Sequence, residues 1–162
     1  MRTIVACAAL MALVVASAEA QDGATPAKDA ITDATIIDSC GGRLAKMFAQ
    51  YGAPSDFVAI RGNTPDKDDV ICDYGTYMFR VREKVIRCCF FRTDWKGPIR
   101  GIKIGDSRED VVKTLGTAPT TFKDKNGVVT AYGYRMKDLG VEFYTNFDED
   151  GKVKRVEIAP LD

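Results

Sequence analysis

The chain has 162 residues, with 23 basic and 23 acidic side chains and no histidine. Zero net charge argues against a nucleic-acid binder, which needs a basic surplus to neutralise phosphates. The absence of histidine removes the commonest general base and the usual catalytic triads, so no enzyme activity and no cofactor is expected.

The first twenty residues carry the three parts of an export signal. Arg2 is a short positive region, Ile4 to Val15 is an uncharged apolar run, and Ala18-Glu19-Ala20 places small residues where a signal peptidase reads. The run is shorter than the roughly 20 apolar residues that span a bilayer, so it reads as a cleaved signal rather than an anchor. Ile4-Val5-Ala6-Cys7 has the letters of a lipobox, but cleavage there leaves no room for an apolar region. The expected product is therefore periplasmic or secreted, soluble, without a membrane span, and starts at Gln21. Cleavage leaves 142 residues, which suits one compact domain. Residues 21–37 are mostly small and polar and read as a flexible leader ahead of a domain at 38–162.

Four cysteines remain after cleavage: Cys40, Cys72, Cys88 and Cys89. In an oxidising compartment they are disulfide candidates, allowing one or two bridges and three full connectivities. Adjacent strand residues point to opposite faces, so Cys88 and Cys89 are expected to pair with distant partners rather than with each other.

The first helix is expected after a cap at Asp38 or Ser39. Leu44, Met47, Phe48 and Tyr51 fall on one helical face, and Gly52 and Pro54 stop it. Three strands follow: Val70–Tyr74, Tyr77–Val81 and Val85–Phe91, with a turn near Arg82-Glu83-Lys84. Alternation puts Ile86, Cys88 and Phe90 together on the core face. Trp95 to Pro98 is a connector. The second helix begins at a Ser107-x-x-Asp110 capping box, presents Val111, Val112 and Leu115, and ends at Gly116 before Pro119. Three more strands are expected at Val128–Arg135, Gly140–Thr145 and Val153–Ile158.

The two halves match in order, helix for helix and strand for strand. The expected fold class is thus α+β: two tandem repeats, 38–94 and 95–162, each one helix followed by an antiparallel meander. Gly101 to Gly116 (GIKIGDSREDVVKTLG), with Pro119 after it, resembles the signature of small bacterial envelope proteins of the BamE-like (SmpA/OmlA) and β-lactamase-inhibitor-like folds. That resemblance implies a helix packed on an antiparallel sheet, in proteins that serve as assembly factors or inhibitors.

Three constellations could carry function. Asn146-x-Asp148-x-Asp150-Gly151, with Glu157 beyond, has the letters of a calcium loop. Its flanks alternate like strands and Asp-Gly favours a hairpin turn, so a hairpin without metal is expected. Arg80 and Arg82, with Lys84, share one strand face, which suits either a solvated surface or an acidic partner. Tyr77, Trp95, Tyr132, Tyr134 and Tyr144 lie in or beside strands, where aromatic residues anchor partners or fill a core. The leading functional expectation is an exported, non-catalytic protein-binding module, inhibitor-like or immunity-like, that docks another protein on an exposed sheet face. The alternatives are an envelope-maintenance or assembly factor that binds an envelope component, and a secreted carboxylate-dependent hydrolase.

Overall fold

The computed structural model describes residues 31–161. The expected signal peptide, and residues 21–30 of the expected leader, lie outside the described residues.

Within that span the elements in chain order are α1 (Asp33–Ile37), α2 (Leu44–Tyr51), β1 (Asp56–Ile60), β2 (Asp69–Asp73), β3 (Tyr77–Arg82), β4 (Val85–Phe91), α3 (Arg108–Leu115), β5 (Thr120–Lys123), β6 (Val129–Met136), β7 (Val141–Phe147) and β8 (Val153–Pro160). The strands form one eight-stranded antiparallel sheet in the order β1-β2-β3-β4-β8-β7-β6-β5. This overturns the expected pair of helix-plus-meander repeats. β4 and β8 pair directly, through Cys89↔Ile158, Phe90↔Glu157 and Phe91↔Val156, so the sheet is continuous. One buried cluster runs across it, from Ile36 and Met47 through Phe79 and Phe91 to Phe143 and Ile158. The three helices are short, and the protein is predominantly sheet.

The core lies on one face. Tyr77, Phe79 and Val81 of β3, Cys89 and Phe91 of β4, Val156 and Ile158 of β8, and Val141, Phe143 and Phe147 of β7 are buried there. Met47 and Tyr51 of α2 and Val111 of α3 belong to the same cluster. Burying each such large side chain stabilises the fold by roughly 1.5–3 kcal/mol. The caps are local. Ser107 Oγ accepts from the Asp110 amide and the Asp110 carboxylate accepts from the Ser107 amide, the reciprocal box expected from sequence. α2 starts at Arg43 with no side-chain cap, which corrects the expected cap at Asp38 or Ser39. Those two residues follow α1, which Thr32 caps.

α1 falls in the last residues of the stretch read as a leader. Ile36 and Ile37 are buried, Cys40 packs on the core, and the Tyr51 hydroxyl donates to the Thr35 carbonyl at 2.7 Å. Two apolar residues in a polar stretch are enough to fold its end onto the sheet.

A bulge rearranges β4. Arg80 pairs with Cys88 but Val81 pairs with Ile86, so Arg87 is an extra residue. An inserted residue reverses the alternation beyond it. Ile86 therefore faces the core with Cys89 and Phe91, while Cys88 and Phe90 point to the other face. The expected grouping of Ile86, Cys88 and Phe90 fails for this reason.

Candidate functional site

The face opposite the core is left to solvent, and most of its residues are half-buried or exposed. Register assigns its central row. Asp73↔Met78, Met78↔Phe90, Phe90↔Glu157, Glu157↔Tyr144 and Tyr144↔Gly133 are successive cross-strand pairs from β2 to β6. Asp69, Arg80 and Arg82 lie on this face at the β1 side; Glu142, Asn146, Arg135 and Phe122 lie on it at the β5 side.

On the β1 side the charges neutralise one another. Asp69 is only 2% exposed. Its carboxylate accepts from Arg82 Nε and Nη2 at 2.8 and 2.9 Å and from Arg80 Nε at 2.8 Å, and Arg80 Nη2 also reaches it. The Arg82 hydrogen bonds, with those of Arg80, hold the Asp69 carboxyl down at about 2 against the opposing cost of burial. Arg80 and Arg82 thus share a face as expected, but they are tied to a buried acid rather than free for a partner. Lys84 sits in the two-residue turn after them. Glu83 and Lys84 there have φ of 50° and 66°, the left-handed pair that a tight hairpin turn requires.

On the β5 side an aromatic pair stands over glycine. The Phe122 and Tyr144 rings meet edge to face, with centroids 5.8 Å apart. A Cβ on Gly133 would come within 3.1 Å of the Tyr144 ring and 3.2 Å of Phe122, so the rings settle only because that position is glycine. The Tyr144 hydroxyl donates to Glu142, whose other carboxylate oxygen accepts from Arg135 at 3.1 Å. The bond to Glu142, with partial burial, pushes the Tyr144 hydroxyl up to about 12, so it stays a donor at neutral pH.

The ring pair divides two shallow hollows. One, of about 380 Å³, has Thr120, Gly133, Arg135 and Glu142 on its walls. The other, of about 520 Å³, has Thr130, Ala131, Asn146, Glu157 and Ala159. Asn146 Nδ2 is buried and has no hydrogen-bond partner among the described residues. A buried unpartnered amide costs about 1–3 kcal/mol. Phe90, at the centre of the face, is covered by the Arg155 guanidinium at 5.4 Å from its ring.

The aromatic residues singled out from sequence do not gather into one surface. Tyr144 is on the open face. Tyr77 and Tyr134 are buried. Tyr77 stacks on Tyr74 at 5.1 Å, and Tyr134 donates to the Gly116 carbonyl at 3.1 Å. Trp95 packs on Phe91 at 4.8 Å, with its Nε1 buried and unpartnered among the described residues, and Tyr132 packs on Phe147 at 5.0 Å. Sequence reasoning missed Phe122, Asn146 and Gly133 as a group. Phe122 lies in an edge strand without alternation, so nothing in its own segment marked its face.

The calcium-like residues are distributed along a hairpin. Asn146 and Glu157 are in β7 and β8, while Asp148 Oδ1 accepts from the Lys152 amide at 2.8 Å and closes the turn. Among the described residues, no group of three or more cysteine or acidic side chains is arranged to hold a metal ion. No described helix is long and apolar enough to cross a membrane. Among the four described cysteines the sulfurs of Cys40 and Cys89 approach each other, at 3.0 Å.

No protein-family model matches the chain, and no curated protein does. Solved structures do resemble it. An extracellular protein containing an SCP domain from Bacillus anthracis aligns over 77% of this chain and 45% of its own, with TM-score 0.57 and 15% identity. A DUF4309 family protein from Bacillus subtilis aligns over 74% of this chain and 78% of its own, with TM-score 0.51 and 16% identity. This chain thus spans less than half the length of the first. The similarity is one of fold, and it corrects the expected BamE-like assignment. The matching proteins are SCP-containing and DUF4309 proteins, and the architecture is a single eight-stranded antiparallel sheet.

Proposed function

We propose that the protein is an exported, non-catalytic module that binds another protein on the open face of its sheet, around the Phe122–Tyr144 pair. The observation that carries this reading is the larger hollow. It sets the exposed Phe122 ring and two alanines beside the polar side chains of Thr130, Asn146 and Glu157. A partner's apolar side chain would pack against the Phe122 ring, and its polar groups would meet the polar side chains on the walls. Aromatic anchors flanked by paired charges are the usual composition of such a patch.

The non-catalytic part of the reading rests on the same face. Glu142 is engaged by Tyr144 and Arg135, and Asp69 by two arginines. Both carboxylates are held below their ordinary range, the opposite of what a general acid at neutral pH requires. The similar Bacillus anthracis protein is described as extracellular, which agrees with the export signal read at residues 1–20.

The test is capture of partners from envelope extract and culture fluid by immobilised protein, comparing the native chain with Phe122→Ala and Tyr144→Ala. Loss of specifically retained proteins in variants with native circular dichroism supports the reading. Equal retention by all three overturns it.

A further inference from the structure

We infer that Cys40 and Cys89 are the site of a single disulfide cross-link, and that Cys72 and Cys88 remain thiols. The inference selects one pairing among those the sequence leaves open, and it does not depend on the function proposed for the open face.

The argument is geometric. Cys40 lies between α1 and α2, and its Sγ is 3.0 Å from Cys89 Sγ in the central strand β4. The backbone around Cys40 is already positioned. Gly41 N donates to the Ile86 carbonyl at 3.0 Å and Ile86 N donates to the Gly42 carbonyl at 2.9 Å, so this segment pairs with the start of β4. Each sulfur also reaches across the same junction: Cys40 toward the Ile158 carbonyl of β8 at 3.6 Å, and Cys89 toward the Ile36 carbonyl of α1 at 3.5 Å. Closing the bond shortens the sulfur separation from 3.0 Å to the roughly 2.05 Å of a disulfide.

The other pairings fail on position. Cys72 and Cys89 both pair with Phe79, one from each side, so they are two strands apart. That separation is about 10 Å, beyond the ~7 Å that a disulfide tolerates between Cα atoms. Cys88 points to the open face, where its thiol approaches Glu157 at 3.4 Å. Burial, with the Glu157 carboxylate beside it, pushes the Cys88 thiol up to about 12. Burial raises the Cys89 thiol as well, so what separates the two is position, with Cys89 alone brought to 3.0 Å from Cys40.

The chemistry is thiol–disulfide exchange with an external disulfide, such as a protein dithiol oxidase or glutathione disulfide. Cys89 is fully buried and Cys40 half-buried, so Cys40 is the entry point. The Cys40 thiolate attacks the external disulfide, forms a mixed disulfide and releases one thiol. Cys89 gives up its proton and displaces the second thiol as the Cys40–Cys89 bond forms. The two cysteine thiols are oxidised, and the external disulfide is reduced to two thiols.

The experiment is peptide mapping of the folded protein after incubation with glutathione disulfide and alkylation of the remaining thiols. Trypsin leaves Cys40 in residues 29–43 and both Cys88 and Cys89 in residues 88–92, so Cys88→Ser and Cys89→Ser are mapped in parallel. The expected result is a linked pair 29–43 with 88–92 in the native chain and in Cys88→Ser, its loss in Cys89→Ser, and alkylated Cys72 throughout. If Cys89→Ser does not fold, retention of the link in Cys88→Ser still decides the matter. A link that disappears in Cys88→Ser, a link that includes Cys72, or four alkylated cysteines in the oxidised native chain overturns the inference.

Discussion

Arg82 Nε donates to Asp69 Oδ1 at 2.8 Å across the β2–β3 pair, joining a half-exposed cation to an acid that is almost completely buried. A carboxylate whose pKa is lower folded than unfolded stabilises the fold above its unfolded value, and that contribution is lost as pH falls through the folded value. For Asp69 the window runs from about 4 down to about 2. Urea unfolding between pH 7 and 2 is expected to show a fall in stability of about 2 kcal/mol across that window that Asp69→Asn lacks. Parallel pH profiles for the two chains would remove Asp69 from the account of acid sensitivity.

Gly133 is expected to be intolerant of the smallest substitution. Its Cβ would meet the Tyr144 and Phe122 rings at 3.1 and 3.2 Å, tighter than ordinary contact. Gly133→Ala should cost about 1–3 kcal/mol in thermal or chemical unfolding and separate the aromatic pair. The ring-current shifts between Phe122 and Tyr144 in proton NMR report the second effect. Unchanged shifts and stability would mean the pair adapts freely.

Tyr134→Phe isolates one hydrogen bond. The hydroxyl donates to the carbonyl of Gly116, the residue that ends α3, and removing it leaves the ring packing intact. A loss of about 1 kcal/mol is expected, with amide hydrogen exchange accelerated in the last turn of α3. Exchange that quickens everywhere equally would argue against a local role.

β1 is the exposed edge of the sheet, and all five of its residues are exposed, including Phe57, Val58 and Ile60. An apolar edge strand with open backbone groups is a template for pairing with another chain. Val58→Lys should leave the unfolding free energy within about 0.5 kcal/mol while raising the concentration at which light scattering appears. Unaltered aggregation would place the liability elsewhere, with β5 as the other edge.

The elements most readable from sequence were those with strong local signals. The α2 stripe, the Ser107–Asp110 box and the four strands nearest the centre of the sheet each carry their own periodicity or cap. β1 and β5 carry none, because an edge strand with every residue exposed has no face to alternate. The Arg87 bulge was invisible for a different reason. It depends on how β4 meets β3, and pairing is not a property of either segment alone. The same holds for the continuous sheet: nothing in residues 85–91 or 153–160 announces that they are neighbours. The candidate site was legible only in Tyr144. Phe122, Gly133 and Asn146 come from three different strands and acquire meaning only through register.

The β4–β8 seam has a temporal consequence. β1 to β4 can pair with sequence neighbours as they emerge, and so can β5 to β7, since each connection is a short hairpin or meander. β4, in contrast, must wait for residues 153–160, more than sixty positions downstream. Until those residues exist, Cys89 and Phe91 sit at an unfinished border and half the core has no counterpart. Assembly of this protein is therefore gated by one late, long-range encounter, and a chain cut short before β8 should persist as an open, protease-sensitive intermediate rather than as a smaller folded protein.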